Sequence, residues 1–334
     1  MPTHGSPICL GLDLTQALGP TLVLGSGPVG LVSALVLGRT IPVTLAPLRE
    51  YVAGPARIDA VPLQTLANLI ELGIHPHELA VNDTHRLIMT GWENARPSPR
   101  QIAPKVHLNR TRLAAALWRQ VERSPAIKVE PGADRSRFVR VIDATGRRAV
   151  TASETVQPEV AWVARTRTVS GRIGLSQAAL KIAPMADGYA YRLGTEDHLT
   201  FGLVAPASLS RQSEDARIEA LRESGGSWLL AGLPAFDQME PGRGGLCSVQ
   251  WSFGTGESMP VGDARFAPDA LASQGLALGI SQALLLAETE GTDMADMSNL
   301  IPHLNNVKSA IATCRFGRCA TWQDYAQFLE CGLQ

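Results

Sequence analysis

The chain has 334 residues, 45% of them hydrophobic, which is enough to bury one large core or two modest ones. Its 30 lysines and arginines against 31 aspartates and glutamates exclude the basic excess that nucleic acid or an anionic membrane surface requires. No apolar stretch has the length of a bilayer span, and residues 1–19 lack a signal-peptide pattern, so we expect no membrane partner.

The chain has five cysteines, which are scattered and form no C-x-x-C pair. This pattern is typical of a reducing cytoplasm, which is therefore the expected location. Cys314 and Cys319 are near each other in sequence, but a second pair of metal ligands is missing. We expect no metal site.

The most informative stretch is an apolar segment that continues into a G-x-G-x-x-G motif, at residues 21–34. It predicts a strand, a tight turn and a helix. We expect Gly25 to permit the turn, Gly27 to let the backbone approach a pyrophosphate, and Gly30 to let the helix pack closely. The motif alone is weak, but a second strand predicted at residues 42–45 favours dinucleotide binding at the helix amino terminus.

One element of the dinucleotide motif is missing. The acid that binds the ribose hydroxyls normally stands at the tip of the second strand, about 20 residues further along the chain. Ala46 occupies that place, and the nearest acid is Glu50. Either the loop that carries Glu50 reaches back, or other groups hold the ribose. In the second case we expect Ala46→Glu to tighten cofactor binding.

The next part of the chain alternates between predicted helices and strands. A helix is predicted from Leu63 to Gly73, with Gly73 as its C-cap, and a short strand at 86–89. Residues 96–104 contain three prolines and are predicted to form a loop. Residues 106–113 are predicted to open another helix, with Asn109 as a candidate N-cap.

Strand patterns dominate the middle of the chain. We predict strands at 126–130 and 140–146 and an antiparallel hairpin formed by 189–193 and 198–204, followed by a polar helix at 213–224. An antiparallel layer of this kind indicates a second domain.

A late segment has the form of a strand that ends in Gly262-Asp263, followed by a loop and a helix that begins near Ser273. A carboxylate at a strand tip can accept a hydrogen bond from a cofactor hydroxyl, and the helix amino terminus can face a negatively polarised ring edge. Taken alone, the segment is equally compatible with an ordinary turn and a capped helix.

Three motifs taken together resemble the FAD-dependent monooxygenases of the aromatic-hydroxylase type: the glycine motif at 25–30, Asp143-Ala144-Thr145-Gly146, and Gly262-Asp263-Ala264. Three further segments look like the tryptophan-halogenase-like branch of that group: 57–62, 107–113 and 268–276. This branch includes flavoproteins that modify a tryptophan of a partner protein while a tryptophylquinone cofactor matures. The resemblance covers most of residues 20–290.

The resemblance implies FAD as the cofactor and assigns contacts to individual residues. Gly25, Gly27 and Gly30 would hold the pyrophosphate. Other implied cofactor contacts are Asp263 on the ribityl or pyrophosphate side, the backbone of Ser273, Gln274 and Gly275 at the flavin, and the helix that carries Arg110 and Arg112. The candidate catalytic residues are Asp59 and His107, and for each a loop or helix-start contact is an equally good explanation.

The implied reaction is hydroxylation of an electron-rich aromatic ring through a flavin hydroperoxide. The substrate would be an aromatic small molecule or a tryptophan of a partner protein, and the external reductant NAD(P)H or reduced flavin. Halogenation is not expected, because Arg86 stands where a flavin halogenase carries its catalytic lysine, and the W-x-W-x-I-P signature is absent. A flavin-dependent reductase or dehydrogenase and a non-catalytic scaffold remain open alternatives.

The sequence therefore predicts an α/β protein in which a discontinuous Rossmann-type FAD-binding domain carries an inserted antiparallel-sheet substrate domain. The FAD-binding domain is predicted at 20–50, 106–150 and 245–290. The substrate domain is predicted at 51–105 and 151–244, and a short helical C-terminal segment at 291–334.

Overall fold

The computed structural model describes residues 19–48, 58–79, 84–91, 97–156, 162–171, 179–185, 188–195, 198–209, 212–242, 245–246, 250–254, 258–267 and 275–286. The strands in these residues, numbered in chain order, are β1 (Thr21–Leu24), β2 (Val43–Ala46), β3 (Ile58–Pro62), β4 (Thr84–Thr90), β5 (Ser98–Asn109), β6 (Ile127–Val129), β7 (Arg140–Asp143), β8 (Glu154–Val156), β9 (Trp162–Ser170), β10 (Ala179–Met185), β11 (Gly188–Gly194), β12 (His198–Pro206), β13 (Glu240–Pro241), β14 (Gly245–Leu246), β15 (Gln250–Phe253), β16 (Ser258–Pro260) and β17 (Phe266–Ala267). The α-helices are α1 (Pro28–Leu37), α2 (Leu63–Glu71), α3 (Arg110–Arg123), α4 (Glu214–Glu223) and α5 (Gly275–Leu285).

A parallel sheet forms the first layer, with five strands in the order β16-β7-β1-β2-β6. Every residue of β1 is buried, as is typical of a parallel strand covered on both faces. One apolar cluster joins β1 to the helices and includes Leu31 of α1, Leu117 of α3 and Ile280 of α5. These contacts hold the amino terminus of α1 at the carboxyl end of β1.

The second layer is a nine-stranded sheet in the order β13-β9-β12-β11-β10-β4-β5-β3, with β14 also paired to β9. Its pairs are antiparallel except for the parallel pair of β4 and β10. Phe201 and Leu203 of this sheet pack against Ile218 and Leu221 of α4. A small third sheet contains β17, β15 and β8.

This architecture confirms the predicted fold class, a parallel α/β layer combined with a largely antiparallel sheet. The predicted strands at 42–45, 126–130 and 140–146 correspond to β2, β6 and β7, and the predicted hairpin is formed by β11 and β12. The domain boundaries stay a prediction. The predicted C-terminal segment at 291–334 lies outside the described residues.

Two predicted helix ends are confirmed in detail. The Asn109 side chain caps α3, accepting hydrogen bonds from the main-chain N–H groups of Thr111 at 3.0 Å and Arg112 at 3.1 Å. The C-cap of α2 is Leu72, and Gly73 follows it directly with φ +82°, the left-handed conformation that ends a helix and that glycine adopts without strain. Both ends were set by local sequence.

The loop predicted at 96–104 is wrong, because residues 98–109 form the single long strand β5. Val106, His107 and Leu108 are accordingly strand residues, and α3 begins only at Arg110. Pro99 pairs near the outer end of β5. Pro104 lies between Gln101 and Lys105, where the register with β4 shifts. Both are positions at which a strand tolerates a missing N–H donor.

Within the described residues, no helix combines the length and the apolar character that a membrane crossing needs. The same residues contain no group of histidine, cysteine, aspartate or glutamate side chains arranged to hold a metal ion. Cys314 and Cys319 lie outside this part of the chain.

Candidate functional site

A cleft of about 340 Å³ lies at the carboxyl ends of β1, β7 and β16. Its walls come from residues 25–29, which form the turn after β1 and the start of α1, from residues 144–146 after β7, and from the first residues of α5. Val261 and Asp263 follow β16 and close one side, and Arg110 adds a cationic side chain. Ligands of open parallel α/β sheets bind outside the carboxyl ends of the strands, which makes this cleft the candidate site.

The three glycines of the motif differ in what surrounds them. Gly25 has φ +99°, and a Cβ there would lie 2.5 Å from the main-chain oxygen of Ala144. A Cβ on Gly30 would overlap the main-chain oxygen of Gly25. At Gly27, by contrast, no atom of the described residues lies within 4 Å of an added Cβ. Protein packing therefore requires glycine at 25 and 30, whereas Gly27 faces the open cleft.

The amino terminus of α1 opens onto the same cleft. Gly27 is its N-cap residue and Pro28 follows at the first helical position. Among the described residues no side chain caps this helix, and its first turn carries no acid. Uncapped N–H groups and the positive end of the helix dipole attract an anion, as the sequence predicted for this turn.

Asp263 lies in the cleft, half-buried, on the turn after β16. Gly262 reaches φ +60°, and its N–H donates to Oε1 of Gln282 in α5 at 2.8 Å. A Cβ on Gly262 would lie 3.0 Å from the side chain of Val29 in α1. Two helices thus fix the turn and hold the Asp263 carboxylate at the cleft. The role of Gln282 was missed in the sequence, where it is one polar residue of an apolar helix.

Arg110 is the first residue of α3, and Asp59 holds its side chain. Nε donates to Oδ2 of Asp59 at 2.5 Å, and Nη2 donates to Oδ1 at 2.7 Å. Burial alone lowers the pKa of Arg110, but the charge and hydrogen bonds of Asp59 and the charge of Asp263 outweigh it, so that the pKa is raised. Arg110 therefore brings a permanent positive charge to the cleft.

The loop after β7 is held by a buried carboxylate. Asp143 accepts hydrogen bonds from the N–H and hydroxyl groups of Thr145, at 3.0 and 2.6 Å, and from those of Thr151, at 2.8 and 2.9 Å. This network presents Thr145 and the exposed Arg148 to the cleft. Arg148 was missed because its only signal is its place two residues after the Asp-Ala-Thr-Gly turn.

The remaining predicted site residues lie elsewhere. Among the described residues that line the cleft, Arg112, Asp59 and His107 do not occur. Arg112 is exposed on the first turn of α3, and Asp59 is connected to the cleft by its hydrogen bonds with Arg110. Gly275 lines the cleft, whereas Ser273 and Gln274 lie outside the described residues.

His107 is buried in the large sheet beside His85. Each histidine is 2% exposed, and Nδ1 of His85 lies 2.6 Å from Nε2 of His107. Burial is the main cause that lowers the pKa of His85 to about 4 and that of His107 to about 3. Both rings are therefore neutral near pH 7.

The surroundings of Ala46 do not favour its replacement by the acid that usually binds the ribose. It is 3% exposed and packs with Leu22, Leu24, Phe138 and Val141 in an apolar cluster. Its main-chain oxygen accepts a hydrogen bond from the N–H of Gly25 at 2.9 Å. Because a new carboxylate would enter this cluster, the structure favours a loss of stability in Ala46→Glu over the tighter cofactor binding expected from the sequence. Glu50 lies outside the described residues.

No protein-family model matches the sequence, and no curated protein matches it. Solved structures do resemble it. The peptidyl tryptophan dihydroxylase QhpG, essential for tryptophylquinone cofactor biogenesis, is 19% identical with a TM-score of 0.62, over 94% of this chain and 74% of QhpG. The flavin-dependent halogenase Xcc4156 from Xanthomonas campestris is 13% identical with a TM-score of 0.67, over 88% of this chain and 76% of that protein.

The flavin-dependent halogenase CmlS is 20% identical with a TM-score of 0.62, and the match covers 92% of this chain but 63% of CmlS. At these identities the similarity establishes the fold. The chain thus has the fold of flavin-dependent halogenases and of a tryptophan dihydroxylase, as its motifs predicted.

Proposed function

We propose that the chain is an FAD-dependent oxidoreductase that hydroxylates an electron-rich aromatic ring. The observation that carries this proposal is the space in front of Gly27, where an added Cβ meets no described atom, next to the uncapped amino terminus of α1. A cradle of this kind fits a pyrophosphate. The flavin dependence of structurally similar enzymes supports FAD over other dinucleotides.

Five of the cleft residues have a stated role in this proposal. Gly27 and the amino terminus of α1 bind the phosphates, Arg110 and Arg148 neutralise their charge, and Asp263 accepts a hydrogen bond from a hydroxyl. Gly275 contacts the flavin through its main-chain groups. Bound FAD supplies the activation of dioxygen, while the protein positions the ring to be oxidised and excludes water.

We infer the substrate class from fold similarity. QhpG is a peptidyl tryptophan dihydroxylase, so a tryptophan of a partner protein is one candidate, with a free aromatic small molecule as the other. The proposal includes an external reductant, NAD(P)H or reduced flavin, and a cytoplasmic location that rests on the cysteine pattern. Neither nucleic acid nor a membrane is part of it.

Halogenation is not proposed, although two of the similar structures are halogenases. Arg86, at the position aligned with the halogenase lysine, is an exposed residue of β4 and does not line the cleft formed by the described residues. A guanidinium stays protonated near neutral pH and cannot replace an amine that exchanges protons.

The test is a turnover assay with FAD, a flavin-reducing system, isotopically labelled dioxygen, and tryptophan-containing peptides or free aromatic compounds. The proposal expects labelled oxygen in the aromatic product, measured by mass spectrometry. Oxygen consumption that yields only hydrogen peroxide in every case would instead indicate a reductase or dehydrogenase. A non-catalytic scaffold is the second candidate, favoured by the apolar surroundings of Ala46, and it predicts no flavin binding at all.

A further inference from the structure

The guanidinium of Arg110 binds the carboxylate of Asp59 through one of its edges. The two hydrogen bonds run from Nε and Nη2 to the two carboxylate oxygens, so the side edge of the planar group is occupied. The Arg110 side chain is 34% exposed and the Asp59 side chain 14%. The carboxylate is thus the more enclosed partner, and the guanidinium extends from it into the cleft.

A guanidinium carries five N–H donors in a rigid plane, and its side edge and its end edge can each bind an oxyanion. Occupation of the side edge leaves the outer hydrogens of Nη1 and Nη2, which form the end edge. Arg110 lines the same cleft as Gly27 and Asp263. The end edge is therefore the part of Arg110 left for a second oxyanion in that cleft, where the charge of Asp263 also acts on the guanidinium.

The fold supplies Asp59 from a different strand. Antiparallel pairing of β3 with β5 places Asp59 opposite Leu108, and Arg110 begins α3 directly after β5. The Asn109 cap fixes the backbone at that point. Both ends of the Asp59–Arg110 pair are therefore held by regular structure.

We propose that Asp59 is a positioning residue of the cofactor site, which holds the side edge of Arg110 so that its end edge binds the pyrophosphate of FAD. This inference rests on the proposed function. It assigns to Asp59 a role that acts through Arg110, in place of the catalytic role considered from the sequence.

The chain offers a matched control. Arg167 donates from Nε to Oε1 of Glu214 at 3.0 Å and from Nη2 to Oε2 at 2.5 Å, the same side-edge geometry, with side-chain exposures of 25% for Arg167 and 29% for Glu214. Neither residue is among the described residues that line the cleft. Loss of this pair perturbs a carboxylate–guanidinium contact without touching the site.

The experiment measures the dissociation constants of FAD, by flavin fluorescence, and of ADP, by calorimetry, together with the melting temperature. Asp59→Asn should weaken both ligands about tenfold, because Arg110 loses its fixed orientation. Glu214→Gln should leave both constants unchanged. In the background of Arg110→Ala, the added Asp59→Asn substitution should cause no further loss, because its effect passes through Arg110.

Equal FAD and ADP affinities in Asp59→Asn and the native protein would overturn the inference, and so would a further tenfold loss in the Arg110→Ala background. A melting temperature that falls with unchanged affinity shows a purely structural ion pair and also overturns it. A native protein that binds neither ligand contradicts the proposed function itself, which is a separate result.

Discussion

The main-chain N–H of Val261 donates a hydrogen bond of 2.8 Å to the main-chain oxygen of Asp143. This bond continues the pairing of β16 with β7, in which Pro260 lies opposite Asp143. Two turns that are far apart in sequence therefore leave the sheet side by side. As a result, Thr145 and Asp263 line one cleft.

Asp263→Ala should weaken FAD binding by about 1.5 to 3 kcal/mol, the value of one charge-assisted hydrogen bond, or roughly ten- to hundredfold. Stability should change little, because Asp263 is half-buried at the end of a strand and Gln282 still holds the Gly262 turn. Flavin titrations and thermal melts measure the two effects. Asp237→Ala, at an exposed acid away from the cleft, is the control. Lower stability with unchanged affinity would show that Asp263 only shapes the turn.

Gly27→Val should abolish retention of FAD while the protein stays folded. The backbone at Gly27 has φ −70°, which valine adopts readily, so the substitution costs only about 1 kcal/mol as a poorer N-cap. Flavin content after gel filtration and the melting temperature are the measurements. Gly30→Val is the contrasting control, because its side chain collides with Gly25 and should destabilise the fold. Normal flavin content in Gly27→Val would show that the pyrophosphate does not bind at this turn.

Ala46→Glu should destabilise the protein by about 3 kcal/mol or more, because it places an unpaired carboxylate among apolar side chains. Urea unfolding at pH 7 measures the loss. A variant as stable as the native protein would show that position 46 can direct a side chain out of the cluster, and a ribose contact there would again be open.

The buried pair His85 and His107 should make the protein acid-sensitive. The folded-state pKa values, about 4 and about 3, lie below the value of an unfolded histidine. The unfolded chain therefore binds more protons as pH falls below about 6.5, and stability is lost as pH decreases towards the folded-state values. Each histidine should cost about 2 kcal/mol between pH 7 and pH 5.

Urea unfolding at pH 7, 6 and 5 tests this dependence. The double variant His85→Asn with His107→Asn should flatten it, whereas His75→Asn, at an exposed ring, should not. An equally steep loss in the double variant would assign the acid sensitivity to other groups.

The sequence predicted best what short segments determine. Gly25, Gly27 and Gly30 were assigned from their spacing and from the strands predicted on either side of them. The N-cap role of Asn109 depends on the main-chain N–H groups two and three residues further along the chain. The pairing of Asp59 with Arg110 depends on the register of β3 and β5, and no local pattern encodes that register.

The incorrect or missed predictions also concern features that depend on contacts between segments far apart in the sequence. Three prolines suggested a loop at 96–104, but where β5 shifts its register with β4 a proline is tolerated, and the neighbouring strand decides this. Gln282 was missed because its contact with Gly262 exists only after α5 packs beside the Gly262 turn.

The most direct test of the central claim is a titration of the purified native protein with FAD, followed by the visible absorption spectrum. We predict saturable binding and the spectrum of a protein-bound flavin, both lost in Gly27→Val and weakened in Asp263→Ala. A native protein that stays colourless and does not change the flavin spectrum at any FAD concentration would contradict the account.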